Sequence, residues 1–390
     1  MKTGRPFLSR ADDSLLARWW WTTDRSLLLV VLMLLVIGVV LSFSASPAVA
    51  ERLGLPPFHF AFRQLVFAAT AFAVILLLSM LDAVTARRLA IAGALAGLCA
   101  VGATLLEGDV IKGARRWLDL GIIAVQPTEF LKPCLMVTTA WLLAGAIRQP
   151  GFPGAQVATV LVGIAAMLML AQPDVGQTLL LLAAFSVQLL LFGVPLQRLA
   201  IPVVAGMAAL IVAYLNFPHV SARIDAFLAR GPDGHGYQVE TALKAIRSGG
   251  VLGVGPAAGT VKKVLPDAHT DFIFAAAGEE FGLIAGLALI ALYATIVLRL
   301  LARASDGGGD AFAVLAAGGL AALLGLQAAI NIGVNLAMLP PKGMTLPFVS
   351  YGGSSALSSA LTLGLALAFI RREPDAAAAG WGRAIAGARP

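Results

Sequence analysis

The residues able to do chemistry in this sequence are concentrated in four short polar segments that separate long apolar runs. These are segment one (113–132), segment two (172–176), segment three (216–271) and segment four (340–355). Asp271 stands where the polar part of segment three meets an apolar run, with His269 two residues before it. A carboxylate at such a boundary is partly desolvated and is a better proton acceptor. Asp271 is therefore the candidate general base, although a helix N-cap would use the same residue type.

Segment one supplies cations that suit a phosphate group. Arg115 and Arg116 lie beside Trp117, and arginine can bind phosphate through two hydrogen bonds. Paired arginines and a tryptophan at a membrane surface are equally typical of lipid contacts, so both interpretations stay open. Glu129 and Lys132 are three residues apart and share a helix face. Ionisable groups at an apolar boundary are either a structural ion pair or part of a functional site.

Segments two and three add weaker signals. Asp174 is the one carboxylate of a Pro- and Gly-containing turn in segment two. In segment three, 237–250 has the pattern of an amphipathic helix suited to the bilayer surface. The glycine-rich stretch that follows permits close backbone approach, and Lys262 and Lys263 then add two cations.

Segment four follows an apolar run that carries a polar stripe. Gln327, Asn331 and Asn335 are spaced by four residues, so they share one helix face. Such stripes either bond neighbouring helices or line a polar groove. Lys342 and Ser350 are the candidate polar contacts within segment four, which ends in small residues that permit close backbone approach.

The composition points to a membrane protein. Of 390 residues, 59% are hydrophobic and 13% are charged, whereas soluble domains carry about 25% charged residues. The net charge of +7 is spread over loops, which favours contact with anionic lipid over a nucleic-acid partner. Cys99 and Cys134 fall in apolar segments, which argues against a disulfide framework. No metal-ligand spacing of Cys or His is present in the sequence.

The apolar runs predict an all-α polytopic fold. Ten of them can span a bilayer: 26–43, 60–80, 87–106, 128–147, 155–171, 176–193, 197–216, 271–301, 311–338 and 347–370. We expect one transmembrane domain, 26–370, with a large extracytoplasmic loop, 217–270, between spans seven and eight. Residues 1–25 and 371–390 are predicted to be cytoplasmic tails. The stretch 48–50 resembles a signal-peptidase site, but the first apolar run is longer than a usual signal core, so we expect an uncleaved span.

The distribution of Lys and Arg predicts which loops share a face. Arg10, Arg25, Arg87 and Arg88 lie in the N-terminus and a short even-numbered loop, which favours the cytoplasm for that side. The loops after spans three, five, seven and nine must then lie on the other side of the membrane. Because these loops hold the four polar segments, we expect the segments to form one site on the outer face.

In this order, the four segments resemble the SEDS family of polytopic cell-wall polymerases. The matching strings are RRWLDLG with QPTEFLK, QPDVGQ, AHTDFIFA with GEEFG, and INIGVN with LPPKGMTLPFVSYGGSS, and they span about 113 to 360. The last string is more similar to the division type of the family than to its elongation type. One departure is PPKG, where the division type often has PTKG.

The resemblance implies polymerisation of lipid II into glycan strands, with Asp271 on the family's essential aspartate. The candidate substrate-binding residues are Arg115, Arg116, Glu129, Lys132, Lys262, Lys263, His269, Lys342 and Ser350. The implied partners are a class B penicillin-binding protein transpeptidase, other divisome proteins and membrane lipids, at the septal inner membrane. A divalent metal, Mg²⁺ or Mn²⁺, shared between a diphosphate and a carboxylate stays open, because no ligand set is readable.

Two other interpretations use the same features. A flippase for a lipid-linked precursor would also need intramembrane charges and cations for a diphosphate. Against it, the charged clusters gather on one face, and no clear pair of inverted repeats is visible. A noncatalytic scaffold that recruits a transpeptidase is the third interpretation, and it predicts that Asp271→Ala is tolerated.

Overall fold

The computed structural model describes residues 14–111, 114–119, 121, 124–216, 218, 221, 225, 235–306, 310–341 and 343–371. Its helices are α1 (Leu15–Thr22), α2 (Arg25–Arg52), α3 (His59–Ser79), α4 (Ala83–Glu107), α5 (Pro127–Arg148), α6 (Gly154–Ala171), α7 (Val175–Phe192), α8 (Ala200–Asn216), α9 (His235–Gly249), α10 (Ile273–Asp306), α11 (Ala311–Asn335) and α12 (Gly353–Ile370). Short 3₁₀ turns lie at Leu196–Leu199 and Val261–Lys263.

The predicted spans are confirmed as helices. Within the described ranges, nine helices are long and apolar enough to cross a membrane, and α8, with 17 residues, corresponds to the remaining predicted span. The signal-like stretch 48–50 lies inside α2, which continues to Arg52. Aspartates begin several helices: Asp82, for example, accepts a hydrogen bond from Thr85 N at 2.9 Å.

Two elements are absent from the sequence-based prediction. The predicted N-terminal tail contains α1, whose Trp19 Nε1 donates to Ser79 Oγ at 2.9 Å. Segment one and the residues just before it form a small antiparallel sheet of β1 (Asp109–Ile111), β2 (Ala114–Asp119) and β3 (Ala124–Val125). Strands this short carry too few residues for a readable alternating pattern, so only the pairing of neighbouring strands makes them visible.

Three helices form the centre of the bundle. In α5, α11 and α12, 72%, 67% and 72% of the most apolar stretch is buried, against 28% in α3 and α4. The polar side chains on α5 and α11 therefore contact protein and not lipid, as the cost of a polar group in hydrocarbon requires. This central position explains why the residues of the predicted site lie mainly on these helices and the loops next to them.

The long apolar run 271–301 forms a broken helix. We expected it to tilt or project because it exceeds one bilayer thickness. The tilt stays a prediction; what the structure adds is that α10 is interrupted at Gly282, whose φ of 72° and ψ of −170° are not helical. A positive φ of this size favours glycine. The break separates a short N-terminal half, 273–281, from the longer membrane-crossing half.

At the end of the bundle away from the polar segments, charges are tied to one another. Asp24 caps α2 and accepts hydrogen bonds from Arg299 Nη2 at 3.1 Å and Arg303 Nε at 2.8 Å. Burial raises the pKa of Asp24, but the hydrogen bonds from Ser26 and both arginines outweigh it and lower that pKa to about 2. The carboxylate therefore stays ionised and connects the start of α2 to the end of α10.

Candidate functional site

The four polar segments meet on one face, as predicted. Hydrogen bonds join them in pairs: Arg116 Nε donates to Gln172 O at 3.3 Å, Gln126 N to Ser354 Oγ at 3.3 Å, and Tyr351 N to His269 O at 2.9 Å. The first bond joins segments one and two, the second joins segments one and four, and the third joins segments four and three. One connected polar region results.

The backbone of Asp271 is held by the polar stripe of α11. Asn331 Nδ2 and Asn335 Nδ2 donate to Asp271 O at 2.9 and 3.0 Å. Asn335 Oδ1 in turn accepts from Ala275 N in the first turn of α10, at 3.0 Å. The stripe therefore bonds a neighbouring element, which was one of its two predicted roles. Two buried amides fix the peptide of the candidate base.

The side chain of Asp271 is half-buried and lies near segment four. A Cβ built on Gly343 would be 3.7 Å from Asp271 Oδ2. Ser350 reinforces this arrangement: its Oγ donates to Thr270 O at 2.6 Å and accepts from Leu346 N at 2.8 Å. Ser350 thus lies within the region of Asp271 and is itself engaged with the backbone.

His269 is packed between aromatic rings. Its ring centroid lies 4.7 Å from that of Phe60 and 5.3 Å from that of Tyr351. Among the described residues, no group hydrogen-bonds His269 Nδ1. Burial lowers the pKa of His269 to about 4, although Asp267 opposes the shift. At neutral pH the imidazole is therefore uncharged and serves first as a packed ring.

Replacing His269 by phenylalanine is expected to make the protein less sensitive to acid. The pKa of about 4 in the folded chain lies below the value of about 6.5 for a free histidine. The unfolded chain therefore binds the proton more tightly, and stability falls as the pH drops from about 6.5 towards 4. Between pH 7 and 5, wild type should lose about 2 kcal/mol through this group. Unfolding titrations in detergent at both pH values test this, and an equal loss in His269→Phe would contradict it.

Glu129 and Lys132 form a buried pair inside the bundle. Lys132 Nζ lies 3.1 Å from Glu129 Oε2, and the two side chains are 1% and 5% exposed. Gln177 completes the network, because its Nε2 donates to Glu129 Oε1 at 2.6 Å and its Oε1 accepts from Lys132. Ser358 Oγ also donates to Glu129 O at 2.6 Å. The pair joins α5, α7 and α12, and the prediction that these two residues bind substrate stays a prediction.

The arginines of segment one differ in their surroundings. Arg116 Nη1 lies 3.6 Å from Asp174 Oδ1, and its Nη2 donates to Pro173 O. Burial raises the pKa of Asp174, and the charge of Arg116 opposes that shift. Arg115 is exposed and makes one long hydrogen bond to Leu105 O, at 3.4 Å. Arg116 thus holds the turn of segment two, while Arg115 keeps most of its donors available.

The two lysines of segment three also differ in their exposure to solvent. Lys262 is 3% exposed and pairs with Glu280, and its Nζ donates to Ser44 O at 3.1 Å. Lys263, the next residue, is exposed. The third predicted lysine, Lys342, lies outside the described residues. Of the cations predicted in segments one and three, Arg115 and Lys263 therefore remain exposed on this face.

The sequence-based prediction missed Arg63, near the start of α3. Arg63 lies near Tyr351, the residue that packs on His269: burial raises the pKa of the Tyr351 hydroxyl, and the charge of Arg63 opposes that shift. The neighbouring Gln64 Nε2 donates to Ser350 O at 3.3 Å. Arg63 is exposed, and no ion pair between described residues includes it. A charge inside an apolar run is itself a functional signal, and it could have identified this residue.

The arrangement combines one rigidly held carboxylate with exposed cations. A half-buried aspartate can accept a proton from a hydroxyl, and exposed guanidinium groups can bind a phosphate. In the part of the chain that the structure describes, no group of three His, Cys, Asp or Glu side chains could hold a metal ion.

Comparison with known proteins places these residues in context. A family model described as "Cell cycle protein", covering FtsW, RodA and SpoVE, matches residues 25–374. A Caulobacter vibrioides protein named "Probable peptidoglycan glycosyltransferase FtsW" is 44% identical over 384 residues, which cover 97% of this chain and 98% of that protein. A Thiomicrospira cyclica protein of the same name is 37% identical, covering 85% of this chain and 87% of that protein.

Solved structures share the fold. A chain from work described as "Structural coordination of polymerization and crosslinking by a peptidoglycan synthase complex" superposes with a TM-score of 0.74 at 28% identity, covering 90% of this chain and 98% of that chain. The rod shape determining protein RodA of Thermus thermophilus superposes with a TM-score of 0.68 at 28% identity, covering 91% of this chain and 99% of that one.

Proposed function

The chain belongs to the cell cycle protein family of FtsW, RodA and SpoVE, and on this premise we propose that it polymerises lipid II into glycan strands during septal wall synthesis. It is a multi-spanning membrane protein and a peptidoglycan glycosyltransferase. The observation that carries the proposal is that hydrogen bonds join the four polar segments into one region, which includes Asp271, whose peptide is held by Asn331 and Asn335.

Asp271 is proposed to act as the general base. It takes the proton from the 4-hydroxyl of the acceptor sugar, and the oxygen then attacks the anomeric carbon of the donor. The bond from that carbon to the diphosphate breaks, and undecaprenyl diphosphate leaves with the electron pair. A single displacement inverts an α-linked donor to a β-linked product. Because diphosphate is already a good leaving group, the reaction needs cations for its charge more than it needs a general acid.

We propose that Arg63, Arg115 and Lys263 bind the diphosphate. All three are exposed, and each lies in or next to one of the polar segments. Lys342, in segment four, is a further proposed contact. Arginine suits this task because its planar group makes two hydrogen bonds to one phosphate.

The cellular setting follows from the same premise. The expected partner is a class B penicillin-binding protein, a transpeptidase that cross-links the strands, together with other divisome proteins. The protein is proposed to lie in the inner membrane at the septum, with both termini in the cytoplasm and the site on the periplasmic face. The excess of Lys and Arg at the termini and in short loops supports this orientation.

The direct test is polymerisation of labelled lipid II by the purified chain, alone and with its penicillin-binding partner. We expect glycan ladders from at least the complex. The absence of polymer with the partner present, together with lipid II transfer across reconstituted vesicles, would instead support a flippase.

Arg63→Ala is expected to lower kcat/KM for lipid II by about 10- to 100-fold, the loss of one or two charge-assisted hydrogen bonds. Arg63→Lys should recover part of this loss, because it keeps the charge but not the planar group. The matched control is Arg198→Ala, an exposed arginine in the turn before α8, which should change the rate less than about twofold. An unchanged kcat/KM in a folded Arg63→Ala protein would remove Arg63 from the site.

A further inference from the structure

The half-helix 273–281 follows Asp271 directly and ends at the break in α10. Near its end lie Glu279 and Glu280, two carboxylates that are each 1% exposed. Glu280 pairs with Lys262. The proposed mechanism uses neither residue, and burying a carboxylate is costly unless its oxygens are satisfied. The contacts of Glu279 therefore require an explanation.

Glu279 binds backbone amides and not a cation. Its Oε1 accepts from Thr260 N at 2.7 Å and Val261 N at 2.8 Å, and its Oε2 accepts from Lys262 N at 2.8 Å. The backbone comes so close that a Cβ on Gly259 would lie 2.9 Å from Glu279 Oε2. Hydrogen bonds to a charged acceptor are about twice as strong as neutral ones. One side chain thus fastens three consecutive residues of the outer loop.

The break in α10 fastens the same loop through its backbone. Four hydrogen bonds join the two stretches: Val254 N to Glu279 O at 3.0 Å, Gly255 N to Glu280 O at 3.0 Å, Leu283 N to Gly250 O at 2.9 Å, and Ile284 N to Val251 O at 3.3 Å. A Cβ on Gly253 would lie 2.1 Å from Glu280 O, so this contact excludes any other residue type. Residues 250–255 therefore form hydrogen bonds with backbone N–H and C=O groups that the break in α10 leaves without helical partners.

These contacts close a ring of chain, 260–279, that contains Asp271. Inside the ring, Leu265, Ala268 and Phe272 pack in one buried apolar cluster with α9. The ring is fastened at one end by Glu279 and near its middle by the bonds to Asp271 O and Thr270 O. Without the Glu279 carboxylate, three backbone donors would be left unsatisfied, and the loop would have to move to find other partners.

We propose that Glu279 is a positioning residue for Asp271: its carboxylate fixes the loop that precedes the base to the half-helix that follows it. The proposal rests on the proposed function, because it assumes that Asp271 is the base. Its physical content is the position of residue 271, which can be measured without any activity. Misplacing a reacting group by about 1 Å can cost about 100-fold in rate.

The test compares Glu279→Gln with Glu240→Gln. Glu240 lies on α9, before the same loop, and is exposed in a surface pair with Lys244. In Glu279→Gln, an amide nitrogen replaces one carboxylate oxygen. This nitrogen is a hydrogen-bond donor, so it cannot accept the bond from the backbone N–H that faces it. We expect kcat for lipid II to fall by about 10- to 100-fold, with KM within about twofold of wild type. The acid limb of the pH–rate profile should also change its midpoint, because Asp271 becomes more hydrated. The Glu240→Gln protein should match wild type in all three.

A second measurement does not depend on activity. In Asp271→Cys protein that also carries Cys99→Ser, the rate of thiol labelling reports the exposure of position 271. Adding Glu279→Gln should raise this rate by several-fold, and adding Glu240→Gln should not. An unchanged labelling rate overturns the proposal, whether or not polymer forms. A fall in kcat that only follows the folded fraction, with an unchanged pH midpoint, overturns it too. If wild type makes no polymer while the labelling rate rises, the positioning stands and the proposed function fails.

Discussion

Replacing Asp271 by alanine is expected to lower the rate of lipid II polymerisation by about 100- to 10,000-fold, the contribution of a general base. The acceptor hydroxyl is a poor nucleophile while it keeps its proton. Asp271 is a half-buried carboxylate in the region where the polar segments meet, and its peptide is fixed by Asn331 and Asn335. The variant should still fold, because these hydrogen bonds go to the backbone oxygen, which alanine retains.

Glycan ladders from the purified complex provide the measurement, with lipid II binding and partner binding measured alongside. Asp271→Asn is the isosteric variant and should be as inactive as Asp271→Ala, since an amide accepts no proton at neutral pH. Asp267→Asn is the matched control, because it makes the same change four residues earlier, at a left-handed position (φ 53°) that asparagine tolerates. Equal ladders from wild type and Asp271→Ala would remove Asp271 from the chemistry and support the scaffold interpretation.

Lys132→Met is expected to lower the free energy of unfolding by about 3 to 5 kcal/mol. The side chain of Lys132 is 1% exposed and bonds both Glu129 and Gln177. Removing it leaves the Glu129 carboxylate buried without its cation, which is the costly way to break such a pair. Adding Glu129→Gln to Lys132→Met removes the charge and should recover most of the stability.

Unfolding titrations in detergent measure both variants, and polymerisation is assayed at equal folded protein. Arg148→Met is the matched control, because Arg148 pairs with Asp310 on an exposed surface and should cost at most about 1 kcal/mol. If Lys132→Met keeps wild-type stability and loses lipid II binding, the structural role is wrong and Lys132 binds substrate.

Both predictions concern one rigid region with two kinds of charge. The buried pairs, Glu129 with Lys132 and Glu280 with Lys262, connect helices. The exposed cations lie at the surface, where a diphosphate can reach them. We therefore expect the buried pairs to contribute to the stability of the fold and the exposed cations to contribute to the affinity for substrate. Variants of the first group should therefore lower the folded fraction, and variants of the second should raise KM.

The class of protein and the meeting of its four polar segments followed from the sequence alone. Apolar runs long enough to span a bilayer are a property of each stretch by itself, so they predicted the helices without tertiary information. The parity of the spans then placed the four polar segments on one face, and hydrogen bonds such as Tyr351 N to His269 O confirm that they meet. The motifs that carry the family resemblance could also be identified without the structure, because each is a short continuous run of residues.

Only the tertiary structure decided which partner each charged side chain has. Lys262 contacts Ser44 and Glu280, which are 218 and 18 residues away in sequence, and no local pattern encodes that meeting. Arg63 lies near Tyr351, 288 residues away in sequence, because α3 packs against α12. The break at Gly282 is stabilised by a loop that precedes it. Each of these features depends on how distant helices pack, because burial and hydrogen bonding are set by the neighbours that packing provides.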